Sequence, residues 1–421
     1  MVKAGDSASE AGQGWQSVDV RDLLSTSAKS IGAGSPTDAG RSWRLPTEHP
    51  DPIVLTGGIP DAPTLPVAEL RAAFEEVLAS EPTEALQYGG WSGFEGLRSA
   101  IAERQSDIEG VELGPENFIV TNGSSGGIDL IGKAFLEPGD VVIVEGPSFS
   151  GTVRAMRGYM AEIVEVPMEK DGVSVSGLEE AIQRVEAAGK RVKIFYTIAD
   201  FHNPTGATLA EGKRLALIEL CARHRVLILE DAAYTELHFD QPAPASIFGT
   251  GEGRGVLRLN TFSKTIATGL RVGWVQASPE YIEAMTRVRF DMGGPPLFHR
   301  ALAPFVSSGR LDAHVDRMRP LYAEKCDVLS QSLLEHCEPY VRFERPDGGF
   351  FLWVECIGAP AQEVARAAAE EGVVFPVGSV FFTDRENAKD THVRMAFSNA
   401  PVEHLAEAGR RLRKAFLRLV D

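Results

Sequence analysis

Very little in this sequence points to disulfides, to a membrane or to a nucleic acid. It has four cysteines in 421 residues. Cys221, Cys326, Cys337 and Cys356 form no CxxC pair and have no nearby histidine at zinc spacing. That argues against a disulfide framework or a zinc site and for buried free thiols. No run approaches the ~20 apolar residues of a membrane-spanning helix. The N-terminus lacks the apolar stretch of a secretion signal, so the expected location is cytoplasmic. Positive charge is also scarce: 42 Lys and Arg stand against 59 Asp and Glu, a formal net charge of −17. Such a balance disfavours wrapping nucleic acid or lying on an anionic bilayer. No metal site is expected.

What is present is an ordinary globular composition, 43% hydrophobic and 24% charged, at a length that suggests two domains. Residues 1–50 are rich in Ala, Gly and Ser and read as a flexible arm, with at most one short helix near Val18 to Leu24. The arm is too short and too weakly basic to be a DNA-binding domain. Residues 51–295 form the expected large domain and 296–421 a smaller C-terminal one. In the large domain, short β-branched runs occur at Phe118–Thr121, Val141–Glu145, Ile163–Val166, Val192–Thr197, Val226–Glu230, Val256–Asn260 and Val272–Gln276, most of them separated by helical stretches. This alternation predicts an α/β fold with a mainly parallel, seven-stranded sheet covered on both faces. After residue 296 longer helices alternate with strands at Phe350–Val354 and His392–Phe397, the pattern of an α+β domain. Sheets of the parallel kind bind ligands at the C-terminal ends of their strands.

The polar motifs fall at those ends. Asn260-Thr-Phe-Ser263-Lys264 leaves one strand, and Arg271 follows seven residues after the lysine. A lysine that forms an imine must spend time as the neutral amine, and an arginine fork suits a phosphate dianion. Asp231 follows the apolar run ending at Glu230. A carboxylate there is costly unless it meets a cation, although it can also cap the next segment. Tyr234 lies three residues on. Tyr196-Thr-Ile-Ala-Asp-Phe-His202-Asn203-Pro-Thr-Gly206 runs from a strand into a turn. Gly123-Ser124-Ser125 opens a helix, where backbone N–H groups can receive an anion. It is neither a Walker loop nor a GxGxxG fingerprint. Each motif alone has a plain structural explanation. Together they supply a phosphate cup, a partner for a protonated ring nitrogen, two donors to a ring oxygen and an imine-forming lysine.

In that combination the chain resembles the class I/II aminotransferases, the fold type I enzymes of pyridoxal 5′-phosphate, from about Ile53 to the C-terminus. The forms Leu86-Gln-Tyr-Gly and Tyr196–Gly206 are similar to the α-aminoadipate/kynurenine branch. The resemblance implies Lys264 as the Schiff-base lysine, Asp231 as the pyridinium partner, and Asn203 and Tyr234 on the ring 3′-oxygen. It implies Gly123, Ser124, Ser125, Ser263 and Arg271 around the phosphate and Phe149 stacked on the ring. It further implies Tyr88 reaching the phosphate of a second subunit, hence a homodimer with shared sites. Arg394 would bind the substrate α-carboxylate, with Gly58, Asn203 and His202 also at the substrate. The implied reaction moves an amino group from an α-amino acid to a 2-oxo acid, with Lys264 as general base and the ring as electron sink.

Three segments depart from the family pattern. His202 stands where the branch often has Gln or Asn. Gly89-Gly90-Trp91 follows the tyrosine, and Phe375-Pro376-Val377-Gly378 transposes the common Val-Pro-Gly. All border the expected substrate pocket, so a lyase, β/γ-replacement enzyme, cyclase or oxidase using the same cofactor residues stays open. A non-catalytic regulator built on this fold is disfavoured by the acidic charge and by the absence of a DNA-binding segment.

Overall fold

The computed structural model describes residues 18–31 and 47–420. The expected arm at 1–50 is therefore seen only in part, because residues 1–17 and 32–46 lie outside the described residues. Within it, Val20–Leu23 forms a 3-10 turn capped by the Asp19 side chain, and Thr26–Ser30 forms a short helix capped by Ser25. The strands among the described residues are β1 (Ile53–Val54), β2 (Phe118–Thr121), β3 (Val141–Gly146), β4 (Glu162–Glu169), β5 (Gly172–Val173), β6 (Val192–Thr197), β7 (Leu227–Asp231), β8 (Val256–Thr261), β9 (Gly273–Gln276), β10 (Val341–Arg342), β11 (Phe351–Cys356), β12 (Val373–Val374) and β13 (His392–Ala396).

The large sheet has the order β2-β9-β8-β7-β6-β3-β4-β5. Its central pairs β4–β3, β3–β6, β6–β7 and β7–β8 are parallel, and β9 runs against both β8 and β2. All seven expected strands are present. The eighth, β5, is a two-residue strand turned back on β4, too short to give a periodic signal. The apolar runs of β3, β6 and β8 are buried along most or all of their length. Helices cover both faces, which is why these strands read as near-continuous Val, Ile and Leu rather than as alternating patterns.

A separate core joins the long helix Arg310–Cys337, the sheet β10-β11-β13 and the C-terminal helix Val402–Val420. The last helix turns Leu405, Leu412 and Phe416 inward, each contributing about 1.5–3 kcal/mol on burial. It meets the long helix at Gly409, where an added Cβ would lie 2.1 Å from the Ser332 carbonyl oxygen. Only glycine permits that approach.

Near the expected boundaries at 51 and 296 the two cores share chain segments. β1 pairs in parallel with β12, and Ile53 and Leu55 sit in the C-terminal core. At the other boundary, the helix Pro296–Ser307 packs Leu302 and Phe305 with Phe118 and Trp274 of the large sheet and with Phe262 in the turn after β8. The helix Arg310–Cys337 begins in that same cluster with Leu311 and Val315 and ends in the C-terminal core from Met318 onward. The chain therefore enters and leaves the two cores by continuous elements, without a flexible linker.

Candidate active site

The ends of β2, β3, β6, β7 and β8 lie along one edge of the sheet, and β9 begins there because it runs antiparallel: Gly273 is paired with both Thr121 and Thr261. The segments following these ends carry nearly every residue singled out above.

Lys264 sits in a single turn of helix directly after β8, with the Thr261 side chain capping that turn at Ser263 N. Its Nζ donates to the Gly58 carbonyl at 2.6 Å and lies 5.7 Å from the centre of the Tyr234 ring. Burial pulls the Lys264 ammonium down to about 8, and the negative charge of Asp231 opposes that shift. Gly58 has no room for a side chain, since a Cβ there would meet Phe351 at 2.4 Å.

Asp231 is the last residue of β7 and is buried. Its Oδ2 accepts from the Tyr196 hydroxyl at 2.8 Å and its Oδ1 from Ala233 N at 3.2 Å. Burial raises its pKa. The carboxylate forms no ion pair within 4 Å among the described residues, although the Lys264 charge acts on it. Tyr234, also buried, has the Asn203 side chain beside its hydroxyl and packs edge-on against Phe350 and Phe351.

Arg394 projects from β13 and is held between two rings, 4.4 Å from the centre of Phe351 and 4.6 Å from that of Phe381. It donates to Asn203 Oδ1 at 2.9 Å and to the Thr56 carbonyl at 2.5 Å, while its Nε has no partner. Burial lowers its pKa to about 10, so the guanidinium remains cationic at neutral pH. The altered Phe375–Gly378 segment supports it from behind: the Pro376 carbonyl accepts from Arg394 N at 3.1 Å.

At the opposite corner, Arg271 has a left-handed backbone (φ 52°) and donates to Ser125 Oγ at 2.9 Å. A Cβ at Gly123 would lie 2.7 Å from the same guanidinium. The helix start Gly123–Ser125 and Arg271 thus lie together, donors of the kind that receive an anion, and the buried Ser263 accepts from Thr261 Oγ1 at 3.0 Å at the exit of β8. Phe149 leads into the helix Ser150–Gly158 and is 37% exposed, so it is not a core phenylalanine. Tyr88 stands apart from this cluster, 86% exposed.

His202 is expected beside the substrate, directly before Asn203. Its ring is fully buried, with Nε2 3.0 Å from Glu145 Oε2 and Nδ1 2.9 Å from Thr205 Oγ1. Nε2 makes no hydrogen bond at this approach. Glu145 also accepts from Thr197 Oγ1 at 2.6 Å and Ile198 N at 2.9 Å. His202 therefore ties the Asn203 turn to β3 and is not a surface turn residue. Replacing it with leucine removes the hydrogen bond with Thr205 and the polar contact beside Glu145. The expected result is a stability loss of about 1–3 kcal/mol, read by denaturant unfolding, with glutamine restoring most of it.

Sequence reasoning did not pick out Tyr196, Glu145, Thr56, Phe351 or Phe381. Tyr196 lies inside an apolar strand, and the others carry no local motif. A buried carboxylate without an ion pair, a lysine with a lowered pKa, an anion cup and a buried cation with a free donor fit pyridoxal phosphate and an amino-acid carboxylate. Such a group could take Lys264 as nucleophile and base, Asp231 as ring-nitrogen partner and Arg271 and Arg394 as separate anchors for two anions.

Comparison with known proteins gives a consistent result. Residues 50–412 match the family model for aminotransferase class I and II. The chain is 34% identical to aromatic-amino-acid aminotransferase 1 of Thermococcus litoralis over 87% of this chain and 88% of that protein. The crystal structure of Pyrococcus horikoshii kynurenine aminotransferase, in complex with PMP, KYN and KYA, superposes with a TM-score of 0.87 at 30% identity, covering 96% of this chain and 99% of the other. The α-aminoadipate aminotransferase LysN of Thermus thermophilus, solved with N-(5′-phosphopyridoxyl)-L-leucine, gives 0.85 at 28% identity, covering 96% and 99%.

Proposed function

The chain belongs to the aminotransferase class I and II family, and we propose that it carries out its transamination with Lys264 as the covalent and proton-transferring residue. It is an enzyme that moves an amino group from an α-amino acid to a 2-oxo acid with pyridoxal phosphate as cofactor. The observation that carries the assignment of Lys264 is its position: a half-buried amine with its pKa lowered to about 8, at a strand end beside the buried Asp231 carboxylate. Borohydride reduction of the holoenzyme followed by peptide mass mapping tests it. The modified peptide should contain Lys264, and modification at another lysine overturns the assignment.

When bound, the protonated cofactor ring supplies an electron sink for the electrons left at the substrate α-carbon. Asp231 would keep the ring nitrogen protonated, and Asn203 and Tyr234 would orient the ring by its 3′-oxygen. Gly123, Ser124, Ser125, Ser263 and Arg271 would hold the phosphate, with Phe149 on the ring face. Arg394 would take the α-carboxylate as a fork, beside Gly58 and Asn203. Lys264 Nζ would remove the α-proton, the neutral amine being accessible near physiological pH.

The working unit in this reading is a homodimer in the cytoplasm. Tyr88 and Phe290, each 86% exposed, and Leu86, 68% exposed, are large side chains open to a second copy. Among the described residues no helix is long and apolar enough to cross a membrane, and all four cysteines are free and buried. Shared sites make a specific prediction. Tyr88→Ala weakens the partner's phosphate site, while Lys264→Ala disables its own. Mixed dimers of the two variants should contain one impaired and one intact site arrangement, and so recover activity that neither homodimer has. Failure of mixing to restore activity, with heterodimers demonstrated by native mass spectrometry, removes Tyr88 from the neighbouring site.

A further inference from the structure

Asp231 has a partner that the functional reading leaves without a task. Tyr196 lies on β6, paired in register with Leu229 of β7. Its side chain therefore shares a sheet face with Leu229 and Asp231. The ring is fully buried. Its hydroxyl donates to Asp231 Oδ2 at 2.8 Å, and the other carboxylate oxygen receives Ala233 N at 3.2 Å. Phenylalanine would fill nearly the same volume, so packing alone does not account for a hydroxyl that must be desolvated to sit there.

The charged and polar groups facing this pair are few. Lys264 approaches Asp231 from the exit of β8 and His202 from the turn after β6, while Glu145 of β3 and Thr152 face the phenol. Burial and the nearby carboxylates keep Tyr196 protonated well beyond its ordinary range. It is consequently a fixed donor at any working pH. Burial works against charge on Asp231, and the phenol leads the groups that oppose it.

We propose that Tyr196 is a positioning residue for the cofactor ring: its hydroxyl fixes the Asp231 carboxylate and draws electron density from it, so that a proton shared with the ring nitrogen rests on the nitrogen. The proposal rests on the reading of Asp231 as partner of that nitrogen. Removing the donor makes the carboxylate more basic and moves the shared proton toward oxygen.

The test uses holoenzyme reconstituted with pyridoxal phosphate labelled with 15N in the ring, at one fixed pH. The wild-type ring nitrogen should resonate near the pyridinium position. Tyr196→Phe should move it toward the neutral pyridine position, weaken cofactor binding about tenfold and lower kcat about tenfold, as expected for one hydrogen bond to a charged group. KM for the oxo acid should stay within about twofold, because the phenol contacts no substrate group. Incorporating 3-fluorotyrosine at position 196, a stronger donor of almost the same shape, should keep the pyridinium position. An unchanged resonance in Tyr196→Phe, or a shift toward pyridine with 3-fluorotyrosine, overturns the proposal. Asp231→Asn separates the two layers. If it leaves the resonance unmoved, the reading of Asp231 itself falls; if it moves the resonance and Tyr196→Phe does not, only the role of Tyr196 falls.

Discussion

Alanine in place of Lys264 is expected to abolish transamination and, independently, covalent attachment of the cofactor. Two functions are lost together in this variant. Removing a positioned proton-transfer group alone costs roughly 10²–10⁴ in rate, and loss of the nucleophile removes a second contribution that does not add simply to the first. The structural cost is small by comparison: the hydrogen bond of the amine is to the Gly58 carbonyl at 2.6 Å, and the side chain is only partly enclosed. Cofactor absorbance in the visible region and the mass of the reduced protein report attachment, and single-turnover mixing with an amino acid reports chemistry. A spectrum identical to that of the wild type would refute the assignment. The pH dependence follows from burial. A lysine whose pKa is lowered to about 8 is protonated and unreactive below that pH and neutral above it. In cofactor-free protein, acylation of Lys264 should therefore rise through a midpoint near pH 8, far below that of an exposed lysine. Asp231 raises the amine pKa by its charge. Asp231→Asn should move the midpoint lower still, and a midpoint that moves upward would mean the two groups do not face each other.

Much of the scaffold was legible because it depends on local pattern. The runs Phe118–Thr121 and Val192–Thr197 coincide with β2 and β6, and the other strands of the large sheet differ by a few residues at their ends. Turn chemistry at Asn203-Pro204-Thr205-Gly206 and polar residues after apolar runs marked the strand exits, and the rule for ligands in parallel sheets then indicated one edge. What could not be read depends on pairing across long separations. β1 finds β12 through two residues on each strand, too few for a periodic signal. Tyr196 reads as a strand residue because its neighbours Phe195 and Ile194 are core, and nothing local reveals that its hydroxyl meets a carboxylate on the next strand. Glu145 ends an apolar strand as many exposed residues do, yet it is buried against His202. The ion-pair group of Arg258 with Glu109 and Glu230 is likewise buried and has no motif. Buried polar partners of this kind become visible only when the desolvation of each group is weighed against the groups that meet it.

Arg394 yields the sharpest test of how substrate is held. Its cation is buried, and among the described residues no carboxylate pairs with it. Neutral oxygens from Asn203 and Thr56 and two aromatic faces offset part of the desolvation cost, while Nε remains unpartnered. An anion entering beside Asn203 would relieve that deficit, which is a physical reason for an α-carboxylate to bind here. Arg394→Ala should cost about 2–5 kcal/mol in kcat/KM, roughly 30-fold to several thousand-fold. The loss should fall on amino acids and oxo acids alike, since both carry the carboxylate. Arg394→Lys should recover only part of it, because an ammonium presents a point charge where a planar fork is needed. Cofactor retention should be unaffected in both variants: the anion cup is formed by Gly123, Ser125 and Arg271, and Arg394 has no bond to any of them. Steady-state kinetics with paired amino and oxo substrates, together with dialysis of the holoenzyme, separates these effects. Loss of cofactor from Arg394→Ala, in place of loss of substrate affinity, would remove this residue from the carboxylate site.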